Sequence, residues 1–324
     1  MPPIPVVLDV DTGVDDACAL LFAALHPGLD LRAVTCVGGN APLPDVVRNT
    51  LTVLEVAGRA DVPVGVGAER PLLEEPVDAR HVHGSDGMAD LGYPQPRLTA
   101  DDRVAVDLLR DTVDSASASG RPLTLVPLAP MTNIALFARV HPRSFARLGG
   151  LVFMGGGVDA SNATAAAEFN VFHDPEAAAV VLDACAVHDV PVSMYGLDVF
   201  YAPMVDDGQV ERLRAAGSPA AGLAASLVSF HHRRFDAAGA TIGDAGAVAS
   251  LVLPEALHTE RLPVRVELAG TWTRGRTIVD RRDWGGHMEH DPHGLARASV
   301  DVALGIDGPA VADLWVRTVG GWLA

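Results

Sequence analysis

The chain contains no lysine: all 24 basic residues are arginine, against 41 acidic ones, for a formal net charge of −17. That balance argues against nucleic-acid backbones and anionic bilayers as partners, because both demand clustered positive side chains. A small-molecule partner suits it better. Cysteine is equally scarce. Cys18, Cys36 and Cys185 are odd in number, far apart and set in apolar runs, so they read as reduced core thiols of a cytoplasmic protein. Aromatic residues make up only 5% of the chain, and no Trp precedes Trp272. No uninterrupted apolar span approaches the roughly 20 residues of a membrane helix, and no positively charged, apolar leader opens the chain, so neither membrane insertion nor export is expected. There is no internal repeat, low-complexity tract or linker to mark a boundary. With 49% hydrophobic and 20% charged residues over 324 positions, the chain is expected to form one domain over 1–324 around a well-buried core.

What the chain does have is negative charge concentrated where it is hard to accommodate. The stretch Val6-Val7-Leu8-Asp9-Val10-Asp11-Thr12-Gly13-Val14-Asp15-Asp16-Ala17 places four carboxylates between an apolar run and the start of a helix. Residues 3–8 are apolar and β-branched enough for a buried strand, and the strand period of two sends Asp9 and Asp11 to one face. Gly13 permits a tight turn, and Asp15 and Asp16 then fall in the first turn of a helix, where the dipole favours negative charge. Four acids so close still repel one another, and a hard cation bound by oxygen ligands is the simplest neutraliser. A capped helix behind an acidic loop is the purely structural alternative.

Strand-like runs at 3–8, 30–37, 62–67, 122–128, 150–155 and 190–197 alternate with helical stretches near 14–26, 44–58, 101–118, 131–140, 174–185, 203–216, 218–235 and 244–253. The alternation predicts an α/β fold, Rossmann-like, with a mostly parallel central sheet flanked by helices. Ligands of such sheets bind beyond the carboxyl ends of the strands, and the unusual residues lie there: the acidic cluster, Gly38-Gly39-Asn40, Pro130-Met131-Thr132-Asn133 and Met154-Gly155-Gly156-Gly157. Residues 68–100 hold no convincing regular element and contain His81 and His83, which marks a lid or substrate loop. In the last third, Leu262–Ala269, Arg276–Asp280 and Ala298–Leu304 predict a small antiparallel extension beside the main sheet. A helix near 307–319 is expected to dock the C-terminus.

Two family resemblances meet at the acidic stretch. Asp9, Asp11 and Thr12 resemble the first motif of haloacid-dehalogenase-type phosphatases. Those enzymes need a downstream cation, usually lysine, and a second acidic motif. The chain has no lysine, and Gly243-Asp244-Ala245-Gly246-Ala247-Val248 ends in Val where the second acid belongs. The other resemblance spans almost the whole chain. Asp9-Val-Asp11-Thr-Gly-Val-Asp15-Asp16, Gly38-Gly39-Asn40, Pro130-Met-Thr-Asn133, Met154-Gly-Gly, Glu168-Phe-Asn170 before Asp174-Pro175-Glu176-Ala177, and Thr273-Arg-Gly-Arg-Thr-Ile-Val-Asp280 together resemble the nucleoside hydrolases, calcium-dependent enzymes that cleave the N-glycosidic bond of ribonucleosides. Thr12 departs from the family, which usually has Pro there.

The resemblance implies a ribonucleoside substrate, a homodimer or homotetramer, and Ca2+ held by Asp11, Asp16, Asp244 and the main-chain carbonyl of Leu128. Ribose hydroxyls and a water complete the shell, and Asp11 is the general base toward that water. Asp15, Asn40 and Asn170 correspond to ribose contacts, and Asn162 and Glu168 to contacts with the 5′-hydroxyl. The leaving-group side departs from the pattern. Many relatives carry a His immediately before the last calcium Asp, whereas this chain has Gly243; other relatives stack the base on tryptophans that this chain lacks. His83 is the first candidate to activate the base and His231 the second, with His81 and His232 further choices. Two other readings accompany this one: a non-catalytic ribose- or nucleoside-binding protein on the same fold, and a hydrolase of some other N-riboside.

Overall fold

The computed structural model describes residues 2–235, 239–282 and 298–323. Its strands are β1 Ile4–Val10, β2 Leu29–Cys36, β3 Val64–Val66, β4 Thr124–Pro127, β5 Gly150–Met154, β6 Val192–Tyr195, β7 Met204–Val205, β8 Ala240–Thr241, β9 Leu257–Val266, β10 Thr277–Val279 and β11 Ser299–Ile306. Nine of them form one sheet in the order β10-β9-β11-β6-β5-β4-β1-β2-β3. From β3 to β11 every neighbouring pair is parallel; β9 and β10 add the antiparallel edge. The expected extension is therefore continuous with the main sheet, joined through β11.

Strand β1 reads Ile-Pro-Val-Val-Leu-Asp-Val and is buried from Pro5 onward, as a strand covered on both faces must be. Chain order reverses at this strand, because β2 and β3 lie to one side of it and β4, β5 and β6 to the other. A crevice opens beyond the carboxyl ends at such a switch point. On one face the helix Val14–Leu25 is buried almost all round and packs against the C-terminal helix Gly308–Val319, where Trp315 Nε1 donates to the Cys18 carbonyl at 2.9 Å. That C-terminal helix starts at Asp307, whose side chain accepts from Ala310 N–H at 3.0 Å, so the expected docking helix is present. Among the described residues no helix is long and apolar enough to cross a membrane.

Several boundaries differ from the sequence expectation. The helix expected over 203–216 begins only at Asp207, because Asp206 and Gln209 close a reciprocal cap; the residues before it pair instead as β7 with β8. The helix expected over 244–253 is the short Ala245–Ala249. In the 68–100 segment a single helical turn, Arg80–His83, carries the two histidines.

Candidate active site

The end of β1 delivers Asp11, and the turn at Gly13 brings the first helix back so that Asp16 caps its own N-terminus. Asp16 Oδ2 accepts from Gly13 N–H at 2.9 Å and Oδ1 from Asp11 N–H at 3.3 Å. Asn40, at the end of β2, ties the two acids together. Its backbone N–H donates to Asp11 Oδ2 at 2.7 Å, and its Nδ2 donates to Asp11 Oδ1 at 3.1 Å and to Asp16 Oδ2 at 3.0 Å. Gly39 is required beside them, since a Cβ there would lie 2.0 Å from Asp11 Oδ2. Asp244, preceding a short helix in the second half of the chain, completes the group. Oxygens of Asp15, Asp16 and Asp244 lie within 4.8 Å of one another.

Asp11 and Asp16 are fully buried and Asp244 nearly so, and among the described residues no arginine is hydrogen-bonded to any of them. Burial and mutual repulsion therefore favour the protonated forms. Burial raises Asp11 well above the carboxylate range, with Asp16 the next cause; it raises Asp16 to about 7, with Asp15 next; and it raises Asp244, with Asp15 next. Carboxylates packed this way without a positive partner are what a hard cation neutralises. The donor set is all oxygen, with neither Cys nor His among the clustered ligands, and it suits a hard cation rather than a soft one. Asp9 does not join the cluster: its Oδ1 accepts from Thr35 at 2.5 Å and from Asn133 at 2.8 Å, so it braces β1 against β2 and the helix after β4.

The opposite wall comes from the segment after β5. Glu168 is buried and works as a helix cap, with Oε1 accepting from Asn170 N–H and Oε2 from the N–H groups of Gly156 and Val171. Burial raises its carboxyl to about 7 in spite of those three donors. Asn170 Nδ2 donates to the Leu128 carbonyl at 2.9 Å, which positions the one main-chain oxygen that the resemblance assigns to the metal. Asn162 is exposed, and its Oδ1 accepts from Phe169 N–H at 2.9 Å. Tyr201, half exposed, lies near Asn162, Asp15 and Glu168; no sequence signal pointed to it.

The leaving-group side is assembled differently. Gly243 has φ +48°, and a Cβ there would sit 2.5 Å from Phe200 Cζ and 3.0 Å from Asp15 Cβ. Phe200 thus fills the space a histidine at 243 would need. His83 is buried, with Nδ1 accepting from Val14 N–H at 3.2 Å and lying 3.7 Å from Asp15 Oδ1. His231 stands beside it, ring centres 6.0 Å apart. Burial holds both rings below the usual imidazole range, His231 at about 4. The other two histidines are elsewhere: His81 is exposed, its carbonyl accepting from Arg234, and His232 pairs with Asp207 at 2.9 Å. Of the four candidates, the fold brings only His83 and His231 together. No local sequence signal points to Phe200, which reaches the site only because it follows the end of β6.

The sequence pattern of the family described as inosine-uridine preferring nucleoside hydrolase matches residues 6–313. The chain is similar to the pyrimidine-specific ribonucleoside hydrolase RihA of Salmonella agona (strain SL483), 36% identical over 282 residues, which is 86% of this chain and 88% of that protein. Among solved structures it is similar to a plant nucleoside hydrolase, with TM-score 0.88, 28% identity and coverage of 98% of this chain and 99% of that one. It is also similar to a purine-preferring ribonucleoside hydrolase from Gardnerella vaginalis, with TM-score 0.86, 29% identity and 98% coverage of each chain. Agreement over the full sheet, on both sides of the switch point where the carboxylates gather, has one reading: the chain belongs to the inosine-uridine preferring nucleoside hydrolase family and is a hydrolase acting on N-glycosyl compounds.

Proposed function

We propose that this protein hydrolyses the N-glycosidic bond of ribonucleosides to free base and ribose, with Asp11 as the general base and calcium as the resident metal. The observation that carries the reading is the buried group Asp11, Asp16 and Asp244, three carboxylates with no cation hydrogen-bonded to them among the described residues. Asp11, Asp16, Asp244 and the Leu128 carbonyl are the ligands in this reading, with Asp15 in reach of two of them. Calcium bound there supplies the positive charge that offsets the acids and lowers the pKa of a neighbouring water.

The protein's own groups do the rest. Asp11, oriented by Asn40 through both carboxylate oxygens, accepts the proton of the attacking water. Asp15, Asn40 and the Oδ1 of Asn170 hold the ribose hydroxyls, and Glu168 with Asn162 holds the 5′-hydroxyl. As the bond to the base breaks, positive charge grows on the sugar ring, and the surrounding carboxylates stabilise it. His83 presents a hydrogen-bond donor to the departing base: its Nδ1 already accepts from Val14, so the proton of the neutral ring is on Nε2.

Release of free ribose from uridine, cytidine, inosine and 4-nitrophenyl riboside, assayed with calcium and after exhaustive chelation, tests the reading. Calcium-dependent ribose release from at least one natural nucleoside is the expected result. A non-catalytic binding protein would release none from any of the four, and full activity after verified metal removal would remove calcium from the account.

A further inference from the structure

Residues 83–90 are bonded to one another into a closed loop. Ala89 N–H donates to the His83 carbonyl at 2.7 Å and Gly87 N–H to the Gly84 carbonyl at 3.0 Å. The Asp90 carboxylate accepts from the N–H groups of Ser85 and Asp86, both at 3.1 Å, and Asp86 Oδ1 accepts from Met88 N–H at 2.7 Å and Asp90 N–H at 3.0 Å. A loop tied to itself in this way shifts as one piece, so whatever holds Asp86 also holds His83. That hold comes from the helix Leu43–Val56. Asn49 is 1% exposed, and its Nδ2 donates to the Asp86 carbonyl at 2.9 Å and to the Thr12 carbonyl at 3.2 Å. Arg48 Nη2 donates to the same Asp86 carbonyl and to Asn49 Oδ1, each at 3.2 Å. Two carbonyls at one end of the amide and a guanidinium at the other assign its nitrogen and its oxygen. Gly87, at φ +77°, lets the backbone come this close: a Cβ there would lie 2.8 Å from Ala41 Cβ and 3.3 Å from Asn49 Nδ2.

We infer that Asn49 is a positioning residue for His83: one side-chain amide joins the turn before Asp15 to the loop that carries the histidine, and so sets where the ring stands against the departing base. The inference rests on the reading in which His83 donates to that base, and it names the residue that places it there. His83 Nδ1 accepts from Val14 N–H at 3.2 Å and lies 3.7 Å from Asp15 Oδ1. That one hydrogen bond fixes a distance and leaves the ring free to tilt; the second tie, through the Asp86 carbonyl, removes the freedom. The turn itself is held without Asn49. Thr12 Oγ1 and Thr50 Oγ1 lie 2.6 Å apart, and Asp16 accepts from the N–H groups of Gly13 and Asp11. Loss of the amide therefore leaves Asp11, Asp15 and Asp16 where they are and lets residues 83–90 shift, with only Arg48, on a long and partly exposed side chain, still holding Asp86 from this helix. A reacting group displaced by about 1 Å can lose about a hundredfold in rate.

The test measures kcat and KM of the calcium-loaded enzyme on 4-nitrophenyl riboside and on uridine, cytidine or inosine, whichever wild type cleaves fastest. Wild type is compared with Asn49→Ala, Arg48→Met, His83→Ala and the double variant of Asn49→Ala with His83→Ala. Asn49→Ala should lower kcat on the natural nucleoside about tenfold, a part of what His83→Ala removes, and kcat on 4-nitrophenyl riboside less than about twofold. In the His83→Ala background the same substitution should cost the natural nucleoside almost nothing more, because residues that act through one another are not additive. Arg48→Met keeps Asn49 and removes its brace; it should show the same selectivity at smaller size, and it carries the test if Asn49→Ala does not fold. Equal losses on the two substrates overturn the inference, as does a loss that persists in full in the double variant or a folded Asn49→Ala with wild-type turnover. If His83→Ala is selective and neither Asn49→Ala nor Arg48→Met is, only this inference falls. If His83→Ala is itself unselective, the role of His83 falls and the inference with it; if wild type releases ribose from none of these substrates, the hydrolase reading falls as well.

Discussion

The sugar end of the site and the base end share one cleft and come from the chain in opposite ways. At the sugar end Asp11, Asp15 and Asp16 lie within six residues of one strand, turn and helix, and Asn40 locks two of them with three hydrogen bonds. At the base end His83, Phe200, His231 and Gly243 come from four separate segments. They are held by ring packing and by long-range hydrogen bonds, Val14 N–H to His83 and Thr241 Oγ1 to the Phe200 carbonyl, and His231 Nε2 has no partner. The contrast teaches that the first end is fixed by hydrogen bonds between near neighbours in the chain and the second by packing between distant segments. Hydrogen bonds from Asn40 hold Asp11 and Asp16 in place, whereas His231 Nε2 has no hydrogen-bond partner.

The largest effect that would break this contrast belongs to the sugar end. Asp11→Asn or Asp11→Ala should lower kcat/KM by several orders of magnitude, since in the proposed mechanism each removes the general base and a calcium ligand together. Either variant retaining more than about a tenth of wild-type kcat/KM, a loss below about 1.4 kcal/mol, would contradict the assignment. His83→Ala should lower kcat on uridine roughly a hundredfold and much less on 4-nitrophenyl riboside, whose leaving group needs no help. Equal losses on the two substrates would make His83 a positioning residue of the 68–100 segment rather than a partner of the base.

The charge-holding role also has a pH signature. Folding raises Asp16 from 3.8 to about 7, and Asp11 and Asp244 also rise. The folded, metal-free protein therefore binds more protons than the unfolded chain across this window, and its stability should fall as pH climbs from about 4 through about 7. Calcium should reverse the loss, by about 2.7 kcal/mol at a hundredfold excess over its Kd, and less at pH 5, where protons compete for the same oxygens. Thermal unfolding with chelator and with calcium at pH 5 and pH 8 measures both; a chelated protein whose Tm does not change over that range would show that the acids are neutralised some other way. The smallest expected effect sits at the base end. Gly243→Ala should destabilise by about 1–3 kcal/mol, from its left-handed backbone and the Phe200 ring, and a variant as stable as wild type would mean that Phe200 moves aside readily.

Legibility followed the same division. The parallel sheet could be read because each buried strand is a short apolar run ended by Gly, Asn or Pro, as in Val34–Asn40 and Leu125–Pro130. The edges were less legible: β3 shrank to Val64–Val66, and the helix start at Asp207 was set by a cap between Asp206 and Gln209 that a hydrophobic period does not register. Asp9 shows the limit of period reasoning. Alternation placed it with Asp11, but Thr35 and Asn133, from β2 and from the helix after β4, hold it out of the ion cluster.

By itself the sequence determined that Asp11, Asp15 and Asp16 gather beyond the end of β1, because a glycine turn and helix pitch act over neighbouring residues, whereas Asp9, sent the same way by the strand period, is held apart by Thr35 and Asn133. Only the tertiary structure decided the base end. Which of four histidines meet, which nitrogen each leaves free, and that Phe200 closes the space beside Gly243 depend on how helices far apart in the chain pack against one sheet. No local period carries that information; it is the sum of many side-chain contacts across the fold.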